Sequence, residues 1–450
     1  MKKHLGLKNY LLLASLIFGM LFGAGNLIFP VHLGQLAGHN WLLAAGGFLL
    51  SGVLLPLCAI IAIAITGSNG IYELALPTGS KFALIFLILA HATLGPLFAT
   101  PRTATVSYTI GIANYLPKSS QGTGLLVYSA IFFILVYFFS QSDGKITTII
   151  GKVLNPIFLF MLFVIFFLAA LNPMGTSSTI SAMAGYGKQA FTNGFLQGYN
   201  TMDGLASLAF GITVITAIRA LGINKRKDVS LTAAKSGAIG ILGIGLIYLA
   251  LVYLGAVSRH QFALADNGGI TLAQIAHYYL GSAGDALLAA LTAITCLTTA
   301  MGLIVAFAQD LHQRFPCISY QQFLLGNCVL SFLVANVGLD EIISWSTPVL
   351  MFLYPLAIML IILGITSPLF QNDPLVYRIT LALTLLPAIF DMVNNLPAIL
   401  RSQAWAQEMI KFASQYLPFF DLGFGWLSLG LGGFIAALLI HMWKNKQPAR

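Results

Sequence analysis

Apolar residues run in long blocks along the chain, and the polar positions between them are short. Blocks of about 20 residues recur from end to end, each long enough at ~1.5 Å per residue to cross a ~30 Å hydrocarbon core. The pattern predicts an all-α integral membrane protein with one integrated membrane domain over 1–450. Twelve transmembrane helices are expected, at 10–36, 41–66, 82–115, 124–140, 146–171, 190–218, 231–257, 283–309, 321–337, 342–366, 376–393 and 419–443. The third is too long for a perpendicular crossing and is expected to tilt or to extend beyond the bilayer. The longest polar connections precede helices 6, 8 and 12. Of these, 259–280 carries the turn signal Asp266-Asn267-Gly268-Gly269, and 394–417 mixes polar and aromatic residues in a way that fits the membrane surface. The first block is too long for a signal peptide and is read as a mature helix.

Two of the expected helices are interrupted. Helix 1 contains Gly19, Gly23, Gly25, Asn26 and Pro30 where an unbroken apolar run belongs. Glycine loosens a helix, Asn26 brings amide groups into the bilayer interior, and proline removes a donor and clashes with the preceding turn. Irregular backbone at membrane depth persists only where protein buries it or where it lines a cavity. Gly19 and Gly23 also fit small-residue helix packing; Asn26 and Pro30 favour a break. Helix 6 repeats the pattern with Gly198-Tyr199-Asn200-Thr201-Met202-Asp203-Gly204. A carboxylate at mid-membrane costs ~2.5–3.5 kcal/mol on insertion scales, so Asp203 is expected to face the protein interior or to be protonated. Interrupted helices in first and sixth place point to an inverted repeat: repeat 1 over about 8–172, repeat 2 over about 188–368, and two accessory helices over about 374–443.

Helix 8 carries Thr295, Thr298 and Thr299 on one face. Hydroxyls together with carbonyls released by an unwound helix suit a hard cation such as sodium; such threonines also bond their own i−4 carbonyls or glue helices together. Arg102 lies in helix 3 within Gly95-Pro96-Leu97-Phe98-Ala99-Thr100-Pro101-Arg102-Thr103-Ala104-Thr105. It is expected to be paired with a carboxylate or with freed carbonyls, with Asp203 one candidate partner, and to serve as a gate or structural ion pair, with direct contact to a bound ligand as the alternative. His91 reads as a hydrogen-bonded interior histidine, with a proton relay as the alternative. Glu73 reads as a solvated or capping residue.

Hydrophobic residues make up 58% of the chain and charged residues 8%, far from the ~25% charged residues of a soluble domain. The net charge of +9 is a topology signal rather than a nucleic-acid footprint. Of the Lys and Arg residues, Lys118, Lys188, Arg259, Arg401 and Lys411 fall on one side and Arg102 inside a helix. The rest, from Lys2, Lys3 and Lys8 through Lys145, Lys152, Lys225, Arg226 and Lys227 to Lys446 and Arg450, share the side of both termini. That asymmetry makes the termini cytoplasmic. Cys58, Cys296, Cys317 and Cys328 form no C-x-x-C pair and read as small core residues. No H-E-x-x-H, G-x-S-x-G or Walker A sequence argues for an enzyme. The polar residues are too sparse and too clustered in depth for a channel filter.

Gly23-Ala24-Gly25-Asn26-Leu27-Ile28-Phe29-Pro30, the helix 3 stretch around Arg102, Tyr199-Asn200-Thr201-Met202-Asp203 and Cys296-Leu297-Thr298-Thr299-Ala300 together resemble the branched-chain amino acid:cation symporter family (BrnQ type), over essentially the whole chain. His32 and Gly204 depart from the family pattern. The resemblance implies the inverted-repeat fold of LeuT-like sodium symporters in a bacterial plasma membrane. It implies leucine, isoleucine and valine as substrates, sodium as coupling ion, no organic cofactor and no obligatory protein partner. It further implies a sodium site from the carbonyls of Gly19, Phe22 and Thr295 and the hydroxyls of Thr298 and Thr299, and a weaker second cation site at Asn26 and Thr201. The substrate carboxylate would sit on the amides of Ala24 and Gly25, at the positive end of a half-helix. Its ammonium would sit on carbonyls of the helix 6 break (around Asn200 and Thr201) with Asp203, and its side chain among helices 3, 6 and 8 with Tyr199. Proton coupling through Asp203 or His91 is the alternative.

Overall fold

The computed structural model describes residues 6–23, 25–141 and 145–446. Ala24, Lys2, Lys3 and Arg450, all named above, lie outside the described residues, as do the side chains of Lys145, Lys152 and Lys446. Among the described residues there is no β-strand. Nine helical spans among the described residues are long and apolar enough to cross a membrane, and Leu7–Leu21, the segment Leu159–Leu171 of a longer helix and Tyr320–Ala335 are shorter apolar stretches.

The first expected helix is two half-helices, α1 (Leu7–Leu21) and α2 (Gly25–Ala37). A π-turn at Leu50–Leu54 joins α3 (Trp41–Leu49) to α4 (Leu55–Thr66). The expected long third helix is also divided, into α5 (Ser80–Ala92) and α6 (Ala99–Gly111). Between them Gly95 leaves the helical region (φ −90°, ψ −117°), just before Pro96, as expected from the restriction proline places on the residue before it. Then come α7 (Gln121–Ser140) and α8 (Lys145–Leu171). The second broken helix is α9 (Ala190–Gly198) and α10 (Asp203–Ala220). The chain continues through α11 (Arg226–Ser258), α12 (Gly268–Arg314), α13 (Tyr320–Ala335), α14 (Leu339–Thr366) and α15 (Pro374–Asn394). It ends with α16 (Ala404–Tyr416) and α17 (Gly425–Lys446).

The stretch 259–280, expected as a loop, is partly helical. Asn267 is the N-cap of α12, its side chain accepting from Gly269 N and Ile270 N, and α12 bends only later, at Gly281 (φ 59°). An Asn-Gly-Gly run serves a helix start as well as a turn. Cys317 is exposed in the α12–α13 connection rather than buried like Cys296 and Cys328. Glu73 caps its own loop by accepting from Asn69 N at 2.9 Å.

Small residues set how closely the broken helices approach their neighbours. A Cβ on Gly34 would stand 1.9 Å from Val252 O, and one on Gly255 would stand 1.9 Å from Val31 O. The backbones of α2 and α11 therefore touch, leaving room for hydrogen only. Gly47 and Gly194 do the same between α3 and α9, with Cβ positions 1.9 Å from Phe191 O and 2.0 Å from Ala44 O. Buried Gln35 then ties α2 to α11 and α12, giving its Nε2–H to Ser258 Oγ (3.3 Å) and accepting from Thr271 Oγ1 (2.9 Å). Outside this core the surface stays apolar: Phe160, Phe163 and Phe167 are exposed along one flank of α8, as for side chains solvated by lipid.

Gly255→Ala is expected to cost about 1–3 kcal/mol by overpacking, read as a lower unfolding temperature of the purified protein. Gly326→Ala, where a Cβ meets nothing within 4 Å, should leave it unchanged or raise it. Equal shifts for the two variants would contradict the close-packing account.

Candidate functional site

The break in the first helix is held by its own asparagine. Phe22 leaves the helix in extended conformation (φ −82°, ψ 99°). The Gly23 N–H then donates to Asn26 Oδ1 at 2.8 Å, which takes it from the helical acceptor four residues back, Gly19 O. Pro30 offers no N–H to the Asn26 carbonyl. The second break is made by Met202, a buried non-glycine residue in left-handed conformation (φ 62°) after a 3₁₀ turn at Tyr199–Thr201. It stops α9 and restarts the helix at Asp203, so the Asp203 carboxylate stands at a half-helix N-terminus, where negative charge is favoured.

The two breaks are bonded to each other. The Asn26 Nδ2 donates to Asp203 Oδ2 at 2.7 Å and to the Tyr248 hydroxyl. Tyr248 Oη in turn donates to Asp203 Oδ2 at 3.1 Å. Asn26, Asp203 and Tyr248 are all buried, and the triangle joins α2, α10 and α11. Tyr248 was missed by the sequence reading. Its only signal is that a tyrosine hydroxyl deep in an apolar helix must find a partner.

A cavity of about 410 Å³ opens between the breaks. Gly19, Phe22, Gly23, Gly25 and Asn26 from the first break line it, with Thr201, Met202 and Asp203 from the second, Arg102 from α6, and Thr295, Thr298 and Thr299 from α12. A Cβ on Gly23 would lie 3.2 Å from Thr299 Cγ2 and 3.5 Å from its Oγ1, so the threonine face packs directly on the first break. Thr298 and Thr299 hydroxyls each donate to Thr295 O at 2.9 Å. A hydroxyl that donates its proton this way keeps both lone pairs for another partner. Apolar walls come from Leu94, Ala99, Phe210 and Leu303.

Tyr199 and Asn200 are not in the cavity wall. Tyr199 is fully buried and stacks on Tyr354 with ring centroids 4.1 Å apart, while Asn200 Nδ2 donates to Gln197 Oε1 at 3.1 Å. Gly204 makes room for that stack, since a Cβ there would stand 3.1 Å from Tyr354 Cε1. His91 bonds Asp310 Oδ2 through Nε2 at 2.7 Å, away from the cavity lining. The carboxylate pairing expected for Arg102 is not found: among the described residues no carboxylate oxygen lies within 4.0 Å of its guanidinium. The group instead lies over the Phe29 ring, 4.8 Å from its centroid. Among the described residues no three His, Cys, Asp or Glu side chains stand together as a transition-metal site would require.

The family profile described as "Branched-chain amino acid transport protein" matches residues 7–444. The chain is 41% identical over 429 residues to the branched-chain amino acid permease BrnQ of Lactobacillus delbrueckii subsp. lactis, covering 95% of each chain. It is 35% identical over 447 residues to BrnQ of Bacillus subtilis (strain 168), covering 99% of this chain and 100% of that one. It is 39% identical over 424 residues to the branched-chain amino acid transport system 2 carrier protein of Pseudomonas aeruginosa, covering 94% of each. Among solved structures it resembles Mhp1, a nucleobase-cation-symport-1 family transporter, in a closed conformation with bromovinylhydantoin bound. The TM-score is 0.60 at 14% identity, over 97% of this chain and 92% of that one. It also resembles MhsT in complex with L-phenylalanine, with TM-score 0.56 at 16% identity, over 97% of this chain and 98% of that one. At these identities the likeness is one of fold alone.

Asn26→Ala is expected to destabilise the protein by about 1–3 kcal/mol by orphaning buried donors and acceptors. Combined with Tyr248→Phe the loss should be clearly less than the sum of the single losses, because both act on Asp203. Denaturant unfolding of the four proteins in detergent measures it; strict additivity would mean that the triangle does not act as a unit.

Proposed function

From the premise that the chain belongs to the family of branched-chain amino acid transport proteins, we propose that it is a sodium-coupled symporter that brings leucine, isoleucine and valine into the cell by alternating access. It is a transporter and not an enzyme, as its relatives are named. The observation that carries the coupled reading is the shared cavity, where two helix breaks and a threonine face meet at one place. Sodium is assigned to the gap between the first break and α12, with ligands from the carbonyls of Gly19 and Phe22 and the hydroxyls of Thr298 and Thr299. Thr295 O, which accepts both hydroxyl protons, aims their lone pairs at the ion. The substrate carboxylate is assigned to the start of α2 at Gly25, the ammonium to the second break with Asp203, and the aliphatic chain to Leu94, Ala99, Phe210 and Leu303.

The proposed architecture is twelve crossings in two inverted repeats, about 8–172 and 188–368, with the last two helices outside them. The packing supports it. α11 touches both halves of the first broken helix, at Gly240 against Ala14 O and at Gly255 against Val31 O. The α3–α4 pair touches both halves of the second, at Gly47 against Phe191 O and at Gly211 against Ile63. That exchange of partners is what a two-fold axis in the membrane plane requires.

The cavity continues along Phe210 and Thr213 of α10 and Ala306 and Gln309 of α12, toward the helix ends bearing Arg219 and Arg314. By charge asymmetry those ends are cytoplasmic, so the form described here corresponds to an inward-facing state, with both termini inside. A zwitterion moving with one sodium carries a net charge, worth ~2.3 kcal/mol per 100 mV. Discrimination among leucine, isoleucine and valine should be shallow, since one methylene distinguishes substrates by about 1–3 kcal/mol. Proton coupling is the second reading, favoured by one observation: a buried carboxylate, Asp203, lines the cavity with no cationic side chain within 4.0 Å.

Leucine uptake into proteoliposomes should exceed equilibrium with an inward sodium gradient and not with an inward proton gradient alone. Accumulation on protons alone would move the coupling centre to Asp203. Thr298→Ala should raise the sodium concentration for half-maximal uptake roughly tenfold, the effect of losing one good polar contact, with little change in leucine affinity at saturating sodium.

A further inference from the structure

Arg102 has a cation's charge and, among the described residues, no carboxylate within 4.0 Å. Arg102 is 3% exposed, and its Nη1 has no hydrogen-bond partner among the described residues. It is the basic side chain in the described cavity lining. Burying an ionised group without a partner is costly, more so at membrane depth. The Phe29 ring offsets part of that cost by presenting its π-face, but a face contact leaves the N–H edge unspent. That edge lies at the first break: a Cβ on Gly25 would stand 3.0 Å from Arg102 Nη2, so the guanidinium sits against the backbone at the start of α2.

The same cavity carries Asp203, whose Oδ2 is held by Asn26 and Tyr248 and which makes no ion pair with Arg102. A cation and an anion therefore face one space without neutralising each other. Around them stand Leu94, Ala99, Phe210 and Leu303. A separated plus and minus with an aliphatic surround complements a zwitterion that bears a hydrocarbon side chain.

The geometry points to Arg102 as the receptor for the substrate carboxylate, a specificity-determining residue rather than a gate or a structural ion pair. This rests on the amino acid reading above and alters it in one respect: the carboxylate is held by a composite of the α2 start and the Arg102 fork. A planar guanidinium matches a carboxylate with two parallel N–H bonds, which the ammonium of lysine cannot reproduce. Substrate entry then brings a carboxylate to the Arg102 fork, and the α-ammonium turns toward Asp203.

The test compares leucine with leucinol, which keeps the ammonium and the aliphatic chain but replaces the carboxylate with a neutral CH₂OH. Dissociation constants are measured for both on full-length protein in nanodiscs at fixed sodium, for wild type, Arg102→Gln and Arg102→Lys. Wild type should prefer leucine. In Arg102→Gln leucine binding should weaken about 10- to 100-fold while leucinol stays within about twofold, so that most of the preference disappears. Arg102→Lys should fall between them, and it carries the comparison if Arg102→Gln does not fold. Equal weakening of both ligands, or a preference that survives both substitutions, would overturn the assignment and return Arg102 to a structural or gating role. Wild type that binds neither ligand at any sodium concentration would overturn the amino acid reading itself, and the role of Arg102 with it.

Discussion

A helix broken inside a membrane has no water to repair it, so every backbone group released must be met by protein or by cargo. The architecture described here follows from that constraint. Asn26 meets it on one side of the first break by accepting the Gly23 N–H. The same side chain uses both amide hydrogens across the molecule, on Asp203 and Tyr248. Repair of one break is thereby bonded to the start of the half-helix that follows the other. Residues of both breaks line the cavity, and backbone carbonyls and amides at such breaks suit a small cation and a zwitterion.

The surrounding helices serve that arrangement. Gly34, Gly255, Gly47 and Gly194 bring backbones into contact with the broken helices, which fixes the position of each half without relying on the continuity of its own hydrogen-bond ladder. Thr295 O gathers the protons of Thr298 and Thr299, a bond that usually marks a threonine as occupied with its own helix. In the proposed sodium site the same bond leaves both lone pairs of each hydroxyl for the ion. Arg102 and Asp203 are kept on one cavity but apart, so charge complementarity is available to a ligand rather than consumed internally. A site of this polarity is compatible with the substrate class named by the branched-chain amino acid transport family.

Much of this was legible in the chain. Gly19, Gly23, Gly25, Asn26 and Pro30, and the run from Gly198 to Gly204, are too costly inside apolar helices to be incidental, and the structure breaks both helices there. Other parts were not legible, for physical reasons. The hydroxyl that completes the triangle comes from Tyr248, 222 positions from Asn26, and no local pattern encodes such a pairing. The turn signal at Asn267 is chemically the same as an N-cap, so 259–280 read as loop where α12 already begins. Tyr199 stood beside Asp203 in sequence, yet the 3₁₀ turn sends its ring into a stack with Tyr354. Arg102 read first as a gate or half of an ion pair, with ligand contact as the alternative, because buried arginines usually are paired; its place in the cavity lining depends on how three distant helices pack, which no local pattern encodes.

The most direct test of the central claim, that the two breaks and the α12 threonines form one composite site, is the affinity for leucine as a function of sodium in the absence of any gradient, at constant ionic strength. If the ion and the amino acid share the site, sodium tightens leucine binding, and leucine tightens sodium binding by the same factor, as linkage requires. Leucine affinity that does not change from zero to saturating sodium would contradict the account and leave the threonine face a packing surface.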